Sequence, residues 1–268
     1  MRLVFSEFPA EYDGYRFPYQ VLGVKGKKDN LAQIYYGGWL PFRSKKDWYY
    51  LCRSTRVRLS NFELSSENRR ILKKTENLNF SVIPVDQFEY TPVVQKFCKV
   101  FADETFGKGV MPAAAIRKIL SEGGNCTHVM VFGSGVGDTR RIAPTVGYVG
   151  VVVHGHFLHY VHPFYDLDGD PNLGMGMMVR AVQWAKDQTK QFAYLGTCYG
   201  ESALYKTQFK GFEFFNGWRW SGDIGELKYL IRRNSEGYLL QDEKYKERFV
   251  EGEWSESLRD MGVNVGLK

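Results

Sequence analysis

Cysteine is scarce in this chain, and the few cysteines are scattered. Four occur among 268 residues, and no two of them form a C-x-x-C pair. Disulfide frameworks and cysteine-ligated metal clusters need several cysteines at short, recurring spacings. The sequence therefore predicts no disulfide-stabilised fold and no iron–sulfur or other cysteine-ligated cluster. The four cysteines are Cys52, Cys98, Cys126 and Cys198. Histidines are grouped between His154 and His162, but no tetrahedral ligand set is evident there, so we predict no metal site.

Long apolar runs are also missing. No uninterrupted apolar segment approaches the roughly 20 residues that a membrane-spanning helix needs. The first ten residues contain an acidic residue, Glu7, and a proline, Pro9, and no long apolar core, so we expect no signal peptide. These absences predict a cytoplasmic protein without membrane attachment.

The charge balance is only modestly basic. Lys and Arg number 36 against 30 Asp and Glu, which gives a formal net charge of +6. That excess suits a nucleic-acid or phosphate partner, and it suits an ordinary basic cytosolic protein equally well. The 44% hydrophobic and 16% aromatic content is ample for a folded core. A chain of this length has room for one large domain or two lobes.

The segment from 145 to 196 has the clearest pattern of elements. Two strand-like runs, Thr145 to Val153 and one ending near Val161, precede a polar loop from Asp166 to Leu173. An amphipathic segment from Gly174 to Lys190 predicts a helix, and Phe192 to Leu195 predicts a short strand that ends at Gly196. Strand, strand, turn, helix, strand is the core order of acyltransferases of the GCN5-related N-acetyltransferase (GNAT) type.

The turn before this helix is a candidate anion site, because backbone N–H groups at a helix N-terminus attract phosphate. Coenzyme A–dependent acetyltransferases carry [RQ]-x-x-G-x-[GA] at this place, whereas this chain has Pro171 at the leading position. The candidate phosphate-binding residues are Leu173, Gly174 and Gly176. Acetyl transfer from acetyl-CoA therefore stays open as an alternative.

Basic residues concentrate between positions 56 and 74. Arg56 and Arg58 alternate along a predicted strand, and a helix capped by Ser65 or Ser66 carries a further basic cluster. Such a pattern is typical of the solvated face of a sheet or helix, and it equally suits tRNA phosphates, which arginine binds bidentately. The candidate tRNA-binding residues are Arg56, Arg58, Arg69, Arg70 and Lys73.

Two separated motifs resemble one family. The first is R-V-R-L-S-N-F-E-L-S-S-E-N-R-R-I-L-K-K, from Arg56 to Lys74. The second begins with F-Y-D-L-D-G-D-P-N-L-G-M-G, from Phe164, and continues with Y-L-G at Tyr194 and Y-K-T-Q-F at Tyr205. In this order they resemble the aminoacyl-tRNA–protein transferases, the eukaryotic arginyltransferases and the bacterial leucyltransferases that act on Asp or Glu N-termini. The resemblance extends over about residues 10 to 220.

The chain departs from the family pattern at several places. Only Cys52 lies near the family's amino-terminal cysteine cluster, and Leu167 replaces a proline. Asn172 replaces the serine of Ser-Leu-Gly, and Ser202 to Lys206 replaces a Pro-Lys-Met-x-Tyr-Lys segment. The segment 103–141 has no counterpart in the family.

The resemblance implies a function: transfer of an amino acid from aminoacyl-tRNA to the N-terminal amine of an acceptor protein, with an acidic first residue expected. Aminoacyl-tRNA is then a co-substrate, and no other cofactor is expected. Two alternatives are a coenzyme A–dependent N-acetyltransferase and a non-catalytic relative that holds tRNA or a peptide.

The candidate catalytic residues lie near the end of the last predicted strand. Tyr194 to Gly196 is the place where an ester carbonyl or an acceptor backbone could dock, since glycine allows close approach. Tyr205 and Lys206 could bind the tRNA 3′ terminus or the acceptor carboxylate, and Asp166 could hold the amine. Core packing, a solvated lysine and a turn aspartate explain the same residues without catalysis. His162 is a further candidate, as a proton shuttle.

The predicted fold is α/β: a GNAT-like mixed sheet with a smaller strand-rich N-terminal lobe. We predict a lobe with a basic helix over residues 1–80, a transferase domain over 81–235 and a helical tail over 236–268. Leu227 to Arg232 reads as a terminal strand, and Glu243 to Arg259 as an outer helix.

Overall fold

An eight-stranded mixed sheet forms the centre of the molecule. The computed structural model describes residues 1–7, 19–42, 45–134, 144–233 and 238–250. The strand order is β12-β11-β5-β10-β9-β8-β7-β6. The neighbours β9 and β10 run parallel, and the other described neighbours in this sheet are antiparallel. The strands are β5 (Ser54–Arg58), β6 (Leu78–Pro84), β7 (His128–Ser134), β8 (Thr145–Val153), β9 (Phe157–Tyr165), β10 (Phe192–Thr197), β11 (Phe212–Phe215) and β12 (Trp220–Ser221).

Helices cover both faces of this sheet. On one face, α5 (Leu173–Asp187) buries Met177, Ala181 and Val182 against the apolar side chains of the central strands. On the other face, α3 (Pro92–Phe106) and α4 (Ala113–Leu120) form a second core with strand residues that include Val129 and Phe164. Buried apolar residues recur at three- and four-residue spacing in each helix, which is why each presents one apolar face to the sheet.

A smaller sheet, in the order β1-β2-β4-β3, forms the N-terminal lobe. Its strands are β1 (Arg2–Glu7), β2 (Tyr19–Val24), β3 (Trp39–Pro41) and β4 (Trp48–Leu51), and α1 (Leu31–Tyr36) lies between β2 and β3 in the chain. Tyr35 of α1 joins an apolar cluster that also contains Phe157 and Tyr194 of the large sheet.

Helix α2 (Ser66–Lys74) has the predicted cap. The Ser65 hydroxyl accepts the N–H of Asn68, and the Asn68 side chain accepts the N–H of Ser65, which closes a capping box. Its C-terminal end packs on α5, where a Cβ on Gly176 would come within 2.7 Å of the Thr75 hydroxyl. The glycine is therefore required for close packing of the two helices.

The chain forms two compact units. One comprises residues 1–5 and 21–222, and the other comprises residues 6–20 and 223–268. In the second unit, Leu227 to Arg232 belongs to α6 (Ile224–Arg232), so the predicted strand is wrong. Asp223 caps this helix, and Leu227 and Leu230 are buried at a helical spacing. Helix α7 (Glu243–Phe249) confirms the start of the outer helix, and 251–259 lies outside the described residues.

The predicted fold class is confirmed, because a large mixed sheet with helices on both faces is joined by a smaller antiparallel one. The boundaries predicted at 80 and 235 stay predictions, although β5, α2 and β6, from the first 84 residues, lie in or against the large sheet. No helix within the described ranges is both long and apolar enough to cross a bilayer.

Candidate active site

Strands β9 and β10 separate part-way along their length. They pair from Phe192 with Phe157 to Tyr194 with His159. Beyond that point β9 continues to Tyr165 and β10 to Thr197, and the described pairing between them ends. Separated parallel strands leave backbone groups free for a ligand, so this place is the candidate active site.

Gly196 shapes the separated end of β10. Its φ of +83° lies in the region that glycine adopts at little cost. The pairing of β10 with β5 shifts register between Tyr194 and Gly196, so Leu195 forms a bulge. The Thr55 hydroxyl donates a 2.9 Å hydrogen bond to the Gly196 carbonyl, which fixes the turn. The strand was predicted to end at Gly196, but β10 continues through the bulge to Thr197, so that boundary is wrong.

Lys206 supplies a buried cation at this end. It lies in the 3₁₀ helix Glu201–Gln208, and only 8% of its surface is exposed. Its ammonium donates a 2.7 Å hydrogen bond to the Thr197 carbonyl, and it lies 3.8 Å from where a Cβ on Gly196 would be. Burial lowers the pKa of Lys206 to about 8, because a charged amine loses hydration there. The side chain is therefore not a solvated lysine, and its charge changes near neutral pH.

Three tyrosine side chains lie together beside the separated strands. The hydroxyl of Tyr160 interacts electrostatically with those of Tyr165 and Tyr205, and burial raises its pKa well above the ordinary value. Tyr160 is 2% exposed, and its hydroxyl oxygen has no hydrogen-bond partner among the described residues. A buried hydroxyl without a partner is costly, so it is a candidate donor to a bound substrate. Tyr205 is 47% exposed at the edge of the group.

The N-terminus of α5 lies next to this cluster. A Cβ on Gly174 would approach the Tyr165 ring to 2.6 Å, so glycine lets the ring pack on the first turn. The N–H of Leu173 donates to Asp170 and that of Gly176 to Asn172, so neither is free for a phosphate. Leu173 also has a buried side chain. Of the three predicted phosphate-binding residues, Gly174 alone has a backbone N–H without an acceptor among the described residues.

The remaining catalytic candidates differ in accessibility. Tyr194 is 1% exposed and packs edge-on against Tyr35 and Trp220, so it shapes the site through its backbone. Asp166 is exposed after β9, where its carboxylate accepts the N–H of Asp168 at 3.0 Å. The structure thus brings Gly196, Tyr205 and Lys206 together and leaves the Tyr194 side chain in the core.

The predicted tRNA-binding set needs one correction. Arg56 is fully buried between the rings of Phe192 and Trp220, and its Nε donates to Glu213 at 2.7 Å. A guanidinium without solvent exposure does not contact tRNA phosphates, so the prediction for Arg56 is wrong. The other four predicted residues have side chains that reach the surface: Arg58, Arg69, Arg70 and Lys73.

The histidines near the site have different environments. His159 is 3% exposed, and its Nδ1 lies 3.0 Å from the Tyr35 hydroxyl. Burial lowers the pKa of His159 to about 3, so the imidazole is neutral at physiological pH. His162, the predicted proton shuttle, is half-buried on β9 opposite Gly150. Within the described ranges, no three His, Cys, Asp or Glu side chains are grouped as metal ligands.

Comparison with known proteins gives a fold-level likeness. No family model and no curated protein matches the chain. L-PGS from Bacillus licheniformis aligns with 15% identity and a TM-score of 0.40, over 67% of this chain and 55% of its own. The C-terminal domain of a putative lysylphosphatidylglycerol synthetase from Agrobacterium fabrum aligns with 16% identity and a TM-score of 0.40, over 66% and 54%. Our chain thus spans little more than half the length of either structure.

A GCN5-related glucosamine N-acetyltransferase region of a fungal multi-domain GH3 β-N-acetylglucosaminidase also aligns, with 11% identity and a TM-score of 0.41, over 70% of this chain and 22% of that one. The resemblance to aminoacyl-tRNA–protein transferases stays a prediction.

Sequence reasoning assigned no role to Tyr160 or Tyr165. Their position could have drawn attention to them, because both lie on β9, the strand that leads into the polar loop and α5. Strand alternation assigns a residue only to one face of the sheet, so it could not show that the Tyr160 hydroxyl has no partner among the described residues.

Proposed function

We propose that this protein transfers an aminoacyl group from aminoacyl-tRNA to the N-terminal amine of an acceptor polypeptide. The observation that supports this most is the separation of β9 and β10, where the structure places the Lys206 ammonium and a Tyr160 hydroxyl that has no hydrogen-bond partner among the described residues. Both donors are buried, with Lys206 8% and Tyr160 2% exposed. Such donors stabilise the negative charge that develops on a carbonyl oxygen during acyl transfer.

The reaction needs little chemical power from the protein. An aminoacyl ester is already activated, and an α-amine with a pKa of about 7.7–8.0 is partly neutral at cytoplasmic pH. The amine nitrogen attacks the ester carbonyl carbon and forms the C–N bond. The bond to the ribose oxygen then breaks, and that oxygen leaves with the proton released by the amine. Positioning supplies most of the acceleration, and Tyr160 and Lys206 stabilise the tetrahedral intermediate.

The exposed face of α2 supports a tRNA partner. Arg69, Arg70 and Lys73 are all exposed on this helix. The next residue, Lys74, is close enough to lower the pKa of Asp170, whose main influences are hydrogen bonds from Asn172. The basic helix therefore ends beside the loop that leads into α5, where phosphates near a tRNA 3′ end would be held.

Acetyl transfer from acetyl-CoA is the second candidate. The N–H groups of Gly174 and Met175 at the start of α5 favour it, because within the described ranges they have no acceptor and they suit a pyrophosphate. The N–H groups of Leu173 and Gly176 are already bonded to backbone carbonyls, which weakens the acetyl-transfer hypothesis. A non-catalytic tRNA- or peptide-binding relative is the third candidate, and the departures from the family motifs favour it.

The three functions separate in one assay with a peptide acceptor. Aminoacyl transfer needs charged tRNA and is abolished by ribonuclease. Acetyl transfer needs acetyl-CoA and is indifferent to ribonuclease. A non-catalytic relative binds tRNA with steep salt dependence and forms no product.

A further inference from the structure

A small pocket lies between α3 and the loop that follows β9. Its volume is about 290 Å³, just below the range of about 300–1,000 Å³ that is usual for ligand pockets. That size suits one large side chain and its backbone. Apolar side chains form most of the lining: Val93, Phe97, Val100, Phe101, Tyr165 and Leu167.

Several of these apolar side chains are unusually exposed. Val93 is 76% exposed, Val100 49% and Leu167 42%. The opposite side of α3 is buried in the core through Cys98 and Ala102, so the exposed valines do not stabilise the fold. Clustered exposed apolar residues around a concavity are typical of a binding site.

The charges around the pocket are mainly negative. Glu104, Asp166 and Asp168 contribute three carboxylates against the single ammonium of Lys96, which leaves −2 in a protein of net charge +6. Asp166 accepts one N–H, from Asp168, and a carboxylate has further acceptor positions. The pocket therefore favours a cationic group attached to an apolar body.

One aromatic ring separates this pocket from the candidate active site. Tyr165 lines the pocket, and its ring packs against Phe101 with centroids 4.7 Å apart. The same ring lies against Gly174 in the first turn of α5 and interacts electrostatically with Tyr160. A ligand in the pocket would therefore contact the ring that lies between it and Tyr160.

We infer that this pocket binds the first residue of the acceptor polypeptide, with its α-ammonium near Asp166 and Asp168 and a large apolar side chain against Val93, Val100 and Leu167. This inference rests on the proposed function and names its acceptor class. It differs from the acidic first residue that the family resemblance implies. An acidic side chain would face three carboxylates and leave the apolar wall exposed to water.

Direct peptide binding tests the inference without requiring transfer. Fluorescence anisotropy with the full chain and no tRNA compares peptides that start with Leu, Asp or N-acetyl-Leu and are labelled at the C-terminus. We expect the Leu peptide to bind at least about tenfold more tightly than either of the others, a ratio typical of apolar pockets. Equal binding of the three peptides, or tighter binding of the Asp peptide, overturns the inference.

Variants at exposed positions localise the binding. Val100→Gln and Asp168→Asn should each weaken the Leu peptide several-fold. The matched controls Val110→Gln and Glu122→Gln, on exposed residues outside the pocket lining, should leave its affinity unchanged. Unchanged affinity in both pocket variants overturns the inference.

Transfer assays with the same peptides separate the two proposals. Binding of the Leu peptide without aminoacyl transfer supports the pocket and contradicts the proposed function. Transfer to the Asp peptide but not to the Leu peptide supports the proposed function and contradicts the pocket.

Discussion

Arg56 and Glu213 lie opposite each other on neighbouring strands and form an ion pair of 2.7 Å. Arg56 is fully buried, and the other carboxylate oxygen of Glu213 contacts Arg58 at 2.8 Å. One carboxylate thus pairs with two guanidinium groups on the second and third strands from one edge of the large sheet. The terminal nitrogens of Arg56 have no hydrogen-bond partner within the described residues, so the ring faces of Phe192 and Trp220 are their main contacts.

Glu213→Gln should destabilise the fold strongly. It leaves the buried Arg56 charge uncompensated, which costs about 3–5 kcal/mol for a buried pair that loses one partner. Urea denaturation measures the change in the free energy of unfolding. The control is Glu63→Gln, from an exposed pair with Lys210, and it should cause no measurable change. Equal effects of the two substitutions contradict the buried pair.

His159 should make the protein sensitive to acid. Its folded pKa of about 3 lies below the unfolded value of about 6.5, so the unfolded state binds the extra proton as the pH falls through this range. As far as His159 is concerned, the free energy of unfolding keeps its full value above pH 6.5 and declines by about 1.4 kcal/mol per pH unit below it. Urea titrations at pH 7 and pH 5 should show a smaller loss in His159→Gln than in the wild type. His156→Gln, on an exposed turn, should behave like the wild type.

Tyr160→Phe should lower the rate of aminoacyl transfer by roughly 10²–10³, the usual effect of removing one oxyanion donor. The loss should fall on kcat, with the KM for aminoacyl-tRNA little changed, because the donor acts mainly in the transition state. Tyr90→Phe is the matched control, since its hydroxyl is also buried without a partner among the described residues and lies near Cys98 of α3 and Arg117 of α4. If both variants retain full activity, Tyr160 is not the donor.

Lys206 should give the transfer rate an alkaline limit. Because the ammonium acts as a cation and its pKa is about 8, activity should decline as the pH rises through this value. Deprotonation of the acceptor amine produces the rising acidic limb, so the profile is bell-shaped. Lys206→Arg keeps the charge and should shift the alkaline limb beyond pH 9, whereas Lys206→Met should be poorly active throughout. An unchanged alkaline limb in Lys206→Arg assigns that limb to another group.

Local sequence signals predicted much of the fold. The Ser65 cap, strand β8 and helix α5 each depend on neighbours within a few residues, so the local sequence was sufficient to predict them. The sequence also marked Gly196 as irregular, because glycine accommodates a positive φ, but the strand bulges there and continues to Thr197. The strand predicted at Leu227 was wrong because the cap at Asp223, which starts that helix, was overlooked.

Long-range contacts decided what the sequence could not show. The alternating pattern around Arg56 is typical of a solvated face. Its partner Glu213, however, lies 157 residues later in the chain, on the neighbouring strand β11, and the rings of Phe192 and Trp220 cover the guanidinium. The segment 103–141, which had no counterpart in the family motifs, supplies α4 and β7 to the fold. The acceptor pocket joins α3 to a loop about 70 residues later, so no local pattern could reveal it.

Incubation of the purified protein with a mixture of radiolabelled aminoacyl-tRNAs and unlabelled acceptor peptides tests the proposed function most directly. We predict that label is transferred to the peptide N-terminus and that ribonuclease added before the reaction prevents the transfer. Tyr160→Phe should reduce the labelling, and N-terminal acetylation of the peptide should abolish it. No labelled peptide from any aminoacyl-tRNA, or label from acetyl-CoA that survives ribonuclease, contradicts aminoacyl transfer at the separated ends of β9 and β10.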